Sequence, residues 1–99
     1  MPVIRHIVLF KFEPDIGWQD PAALAAERSS RLVGERVPGL LHWQVGRNTA
    51  DRPTAYDFAA IGLLPDQETL RGYQDHPFHQ ESAALWRAIS TWVVADIEE

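Results

Sequence analysis

One stretch near the start, Val3 to Phe12, reads Val-Ile-Arg-His-Ile-Val-Leu-Phe-Lys-Phe and constrains the chain more than any other. Its β-branched and aromatic side chains give it the composition of a strand. Strand alternation puts Ile4, His6, Val8, Phe10 and Phe12 on one face and Val3, Arg5, Ile7, Leu9 and Lys11 on the other. The first face is apolar apart from a histidine. The second has an apolar centre flanked by cations. A strand that is apolar on both faces has to be covered on both faces. The chain has 99 residues and no cysteine, so no disulfide compensates for a small core. The second cover therefore has to be accounted for.

The rest of the chain supplies the first cover. Asp20-Pro21 is a helix start, with an N-cap acid and proline at the first helical position, and Pro38-Gly39 stops the helix after about Arg36. Its expected core face is Leu24, Ala25, Leu32 and Val33, with Arg28, Arg31 and Glu35 outward. A second strand is expected over 40–47 and a third over 55–64, separated by a polar loop at 48–54. Pro65-Asp66 caps a short helix carrying Leu70 and Tyr73. Pro77 breaks it, because the residue before proline is biased away from helical dihedrals. A further helix from Pro77 carries Phe78, Ala84, Leu85, Trp86 and Ile89, and residues 91–97 form the last strand. With no linker or repeat, residues 1–99 read as a single domain.

The order β-α-β-β-α-β, with a split second helix, points to an α+β fold: a ferredoxin-like protomer with a four-stranded antiparallel sheet and helices on one face. The other face, with Ile7 and Leu9, has no cover within the protomer. Sheet-to-sheet packing across a two-fold axis supplies it, so a homodimer is expected.

Several classes are excluded. Nine Lys and Arg against fourteen Asp and Glu, a formal charge of −5, give no basic footprint for nucleic acid. The longest apolar run, Phe58 to Leu64, is far short of the roughly 18–20 residues of a membrane span. Arg5, His6 and Lys11 interrupt any signal-peptide pattern, so a cytoplasmic location is expected. No glycine-rich phosphate loop, Gly-x-Ser-x-Gly elbow or cysteine nucleophile occurs, and no cofactor is expected.

Four segments carry a family resemblance: the N-terminal strand, Val37-Pro38-Gly39-Leu40, Val45-Gly46-Arg47-Asn48 and Tyr73-Gln74-Asp75-His76-Pro77-Phe78-His79. Together they resemble the Dabb family, the stress-responsive dimeric α/β-barrel proteins, over about residues 3–97. The resemblance implies a ferredoxin-like protomer that pairs into a dimeric α/β barrel. At the Tyr…His-Pro-x-His block the chain is also similar to a plant polyketide cyclase of this family that forms olivetolic acid. That similarity implies catalytic roles for Tyr73 and His79 and a pocket position for His6, and gives His76 a histidine counterpart.

Physical chemistry supports the same residues. His79 falls in the first turn of the helix from Pro77, where free amides and the helix dipole disfavour a positive charge and favour a neutral base. Tyr73 can donate to a developing enolate oxygen. His6 shares the helix-covered face with Val8 and Phe10. The expected site is thus catalytic His79 and Tyr73, with His6, His76 and Phe78 binding a small, largely apolar carbonyl compound for aldol or proton-transfer chemistry. The structural alternatives are equally definite: His79 tying backbone together, Tyr73 in the core, and His76 capping the second helical piece. His76-x-x-His79 is a poor metal site, since no second ligand pair accompanies it, and no metal is expected. Two other functions compete, a non-catalytic stress-response or assembly protein and a cofactor-free monooxygenase of a related dimeric α/β-barrel group. The catalytic readings need a void of about 300 Å³ or more beside His79; without it they fail for that conformation.

Overall fold

In the computed structural model, which describes residues 2–99, the doubly apolar segment becomes strand β1 (Ile4–Phe12). It is followed by α1 (Pro21–Arg36), β2 (His42–Arg47), β3 (Phe58–Leu64), α2 (Gln67–Asp75), α3 (Pro77–Arg87) and β4 (Ser90–Glu98). The strands form one four-stranded antiparallel sheet of order β2-β3-β1-β4, with β1 interior and paired on both edges. This is the ferredoxin-like fold.

The helix ends have local causes. The Asp20 side chain accepts the Ala22 N–H at 3.1 Å ahead of Pro21, and Asp66 accepts the Thr69 N–H at 2.7 Å. Gly39 takes φ +96° in the turn that closes α1, a conformation that favours glycine. Several expected boundaries move: α3 ends at Arg87, before Ile89, β4 spans Ser90–Glu98, and the larger shifts are in β3 and β2. β3 begins at Phe58 rather than at 55, because Ala55 is held in a turn by Arg52 and the Asp57 carboxylate is turned onto the Phe12 N–H. β2 begins at His42 rather than at 40.

The helices cover the face of Ile4, His6, Val8 and Phe10 in two clusters. One joins Val8, Phe10, Ala23, Ala26, Phe58, Ala60, Trp86 and Ile89; the other joins Ile4, Val33, Val37, Leu64, Leu70 and Tyr73. Trp86 anchors the first, stacked on Phe10 at 4.2 Å and on Phe58 at 5.0 Å. Ser30 satisfies two indoles at once: its hydroxyl accepts Trp86 Nε1–H at 2.7 Å and its carbonyl accepts Trp43 Nε1–H at 2.9 Å.

The buried stripe of α1 differs from the expected one. It consists of Ala23, Ala26, Glu27, Ser30 and Val33, while Leu24 is 39% exposed. Small side chains let the helix approach sheet and α3 closely. Glu27 is drawn inward by Arg47, which donates two hydrogen bonds to its carboxylate at 2.8 Å each and holds its pKa below the usual range. The Arg47 guanidinium lies 4.2 Å from the centre of the Trp18 ring, which caps the core against Phe12 and Phe58. Ala84 and Leu85, expected on the core side of α3, face solvent. The opposite sheet face carries Leu9, Val93 and Ile97, exposed by 37%, 48% and 47%.

Candidate functional site

Where the two core clusters meet, sheet and helices fail to close, leaving a cavity of about 110 Å³. His6, Tyr73, His79, Trp43, Trp92 and Val94 are among its walls. β4 is an edge strand and Val94 is half exposed, so the cavity reaches solvent past β4. Its size is well below the about 300 Å³ set for the catalytic readings, so in this conformation they fail for a polyketide-sized or polycyclic substrate, and only a smaller compound is compatible with the cavity.

Each titratable wall residue is held by a different element. His6, in β1, pairs in register with Asp96 of β4, and its Nδ1–H donates to an Asp96 carboxylate oxygen at 2.5 Å. Tyr73, on α2, is packed edge-on to His6 with ring centres 5.6 Å apart. Burial raises its pKa above the ordinary phenol value, which keeps the hydroxyl protonated. His79, in the first turn of α3, lies 4.5 Å from the Tyr73 ring, centre to centre.

His79 is the most informative of the three. A carbonyl can only accept, so its contact with the Gln74 carbonyl at 3.1 Å places the proton on Nδ1 and leaves Nε2 with a free lone pair. Its pKa is lowered, first by burial and then by the nearby His6 and His76, against the opposing pull of the Gln74 carbonyl. The direction agrees with the sequence argument, but the main cause is desolvation rather than the helix dipole.

Among the described residues, Tyr73 Oη, His6 Nε2 and His79 Nε2 have no protein partner. No side-chain polar atom of those residues is both sealed from solvent and unpartnered. These three atoms therefore meet space that water or a ligand can enter. The arrangement offers a neutral base, a protonated hydroxyl donor and a carboxylate-tethered imidazole around one small, mostly apolar cavity.

The structure brings together three of the five expected residues, His79, Tyr73 and His6. His76 and Phe78, the other two, are not among the residues that line this cavity. Preceding Pro77, His76 takes an extended backbone conformation, and its Nδ1 accepts the Phe78 N–H at 3.1 Å as the N-cap of α3. Phe78 packs on the second cluster with the Arg36 guanidinium 5.2 Å from its ring centre. Sequence reasoning missed Asp96. Its signal was an acid alternating with Trp92 and Val94 on an otherwise apolar strand face. Among the described residues, no group of three or more His, Asp or Glu is placed to hold a metal ion, and no helix is long and apolar enough to cross a membrane.

Comparison with known proteins places the chain. Residues 4–99 match the model of the stress responsive A/B barrel domain, and the chain belongs to that family. It is 43% identical over 96 residues to an uncharacterized protein of Streptomyces coelicolor, covering 97% of this chain and 99% of that one. Among solved structures, it is similar to a dimeric ferredoxin-like protein of unknown function from Thermobifida fusca, with a TM-score of 0.86 and 23% identity over 99% of this chain and 92% of that one. It is also similar in fold to a hydroxynitrile lyase from Passiflora edulis, with a TM-score of 0.80 and 16% identity over 98% of this chain and 93% of that one.

Proposed function

We propose that this member of the stress-responsive A/B barrel family is a homodimer that binds a small, largely apolar carbonyl compound beside His79 and catalyses proton transfer on it. The observation that carries the reading is that His6, Tyr73 and His79 line one cavity while Tyr73 Oη, His6 Nε2 and His79 Nε2 have no hydrogen-bond partner among the described residues. In the proposed reaction, Nε2 of His79 takes a proton from the carbon next to the carbonyl. The C–H electron pair becomes the enolate double bond, and the carbonyl π pair moves to oxygen, where Tyr73 donates a hydrogen bond. The proton on His79 then returns to carbon, or the enolate carbon attacks a second carbonyl in an aldol closure, whose π pair moves to its oxygen and takes the proton from His79. Asp96 fixes the orientation of His6 at the far wall. The uncovered apolar sheet face supports the dimer.

Cavity size sets the substrate. A hydrocarbon-lined cavity of about 150 Å³ holds benzene, so the 110 Å³ here suits a short carbonyl compound, or a longer one whose tail leaves past Val94. It disfavours the linear tetraketide of the plant cyclase. The same size favours a second reading, cyanohydrin cleavage of the kind named for the Passiflora edulis relative. There His79 would take the hydroxyl proton, the O–H pair would become the carbonyl π bond, and the C–CN bond would break with its pair on cyanide, which would leave with the proton from His79 as hydrogen cyanide.

The test is exchange of α-hydrogens of short ketones, aldehydes and β-keto esters in D₂O, followed by proton NMR, with cyanohydrins assayed in parallel. His79→Ala should lower the catalysed rate by about a hundredfold or more, and Tyr73→Phe should lower it too, with folding unchanged by circular dichroism. Wild-type exchange no faster than buffer across the panel, or an undiminished rate in His79→Ala, would reject the proposal. Cyanohydrin turnover without exchange would select the second reading.

A further inference from the structure

A larger concavity lies on the opposite face of the sheet, away from the histidines. Across β1, β3 and β2, Leu9 pairs with Ala59 and Ala59 with Gly46, giving a floor of one aliphatic side chain and two small residues. No atom comes within 4 Å of the place a Cβ on Gly46 would occupy. The 48–57 connection rises beside this floor and is braced at both ends. Asn48 donates to the Ala50 carbonyl at 2.8 Å and accepts the Ala50 N–H at 2.9 Å, while Asp57 accepts the Phe12 N–H at 2.8 Å. The concavity is open to solvent, with Arg52, Thr54 and Tyr56 among its lining residues and a volume of about 390 Å³. That is within the range of small-molecule sites, roughly 300–1,000 Å³.

The charge here runs against that of the whole chain, which is −5. Arg52 on the rim has no carboxylate within 4 Å among the described residues, nor does Lys11, whose ammonium lies 5.7 Å from the Tyr56 ring centre. Arg47, the other cation in the lining, is already committed to Glu27. A guanidinium without a carboxylate partner, lining the same concavity as an apolar floor, suits a small anion with a compact apolar body, such as an organic carboxylate.

We propose that this concavity is a second ligand site, for a small organic acid, with its apolar body on Leu9, Ala59 and Gly46 and its carboxylate on Arg52. The site is independent of the chemistry at His79. It lies at one end of the sheet face assigned to the dimer, so a partner packed there would close over the ligand.

The experiment is an NMR titration of the full chain with benzoate, using benzamide as the uncharged control. Benzoate should saturate with shifts at the Gly46 and Ala59 amides, and benzamide should bind about tenfold more weakly or worse. Arg52→Gln, at an exposed loop position, should erase the preference for the acid, and Gly46→Leu should block both ligands. His79→Ala should leave the titration unchanged, which separates this site from the cavity on the other face. Equal binding of acid and amide, absence of saturation, or a preference that survives Arg52→Gln would overturn the proposal. So would benzoate binding only to a dimer-disrupted variant, since a second copy would then be filling the concavity.

Discussion

His79 and Tyr73 are both kept uncharged near neutral pH, and burial is the first cause for each. A base and a hydroxyl donor can therefore coexist without a charge in the cavity. Burial also ties His79 to stability. Its folded pKa is lowered from 6.5, so as pH falls the unfolded chain takes up the proton first. The contribution is fully present above about pH 6.5 and is lost as pH falls towards the lower folded value. Urea unfolding at about pH 7.5 and about pH 5.5 should show wild type losing more stability on acidification than His79→Gln; equal losses would contradict the assignment. Tyr73, His79 and His6 were legible because strand alternation, the Pro77 break and the family resemblance each located them. Asp96 was not, because its role depends on the β1–β4 register, which joins residues ninety positions apart. The capping role of His76 was legible from Pro77, yet the sequence reading also placed it in the binding set, and the cavity lining does not include it.

At the scale of elements, the sequence showed the kinds of structure better than their faces. Alternation in β1 gave the buried sheet face directly, since a period of two leaves a choice between two faces and His6, Val8 and Phe10 share the covered one. The α1 stripe was misread because Leu24 and Leu32 carry more hydrophobic weight than Ala23, Ala26 and Ser30, yet close packing selected the small side chains. Glu27 entered the stripe only because a distant arginine met it. The same closeness makes a prediction at Gly34, where an added Cβ would lie 2.4 Å from Trp43 Cδ1. Gly34→Ala should destabilise by about 1–3 kcal/mol through overpacking, despite the gain in helix propensity. At Gly72 in α2 nothing lies within 4 Å, so Gly72→Ala should stabilise by about 0.5–1 kcal/mol. Denaturant midpoints decide between them; two substitutions moving the midpoint in the same direction would contradict the close approach of α1 to β2.

For the whole molecule, β1 still sets the terms. Its helix-side face is buried, while Leu9, Val93 and Ile97 leave the other face apolar and open in the protomer. Sedimentation at micromolar concentration should give about twice 11.2 kDa. Val93→Lys, on the edge strand β4 beside Leu9 on that face, should shift the mass to the monomer; a wild-type monomer would refute the proposed pairing. The functional claim rests on a single proton. Nitrogen-15 NMR of the His79 ring in the assembled protein at neutral pH reads it directly. The expected result is a neutral imidazole with its proton on Nδ1 and an unprotonated Nε2, titrating below the ordinary histidine range; a proton on Nε2, or an imidazolium at neutral pH, would contradict the base assigned here.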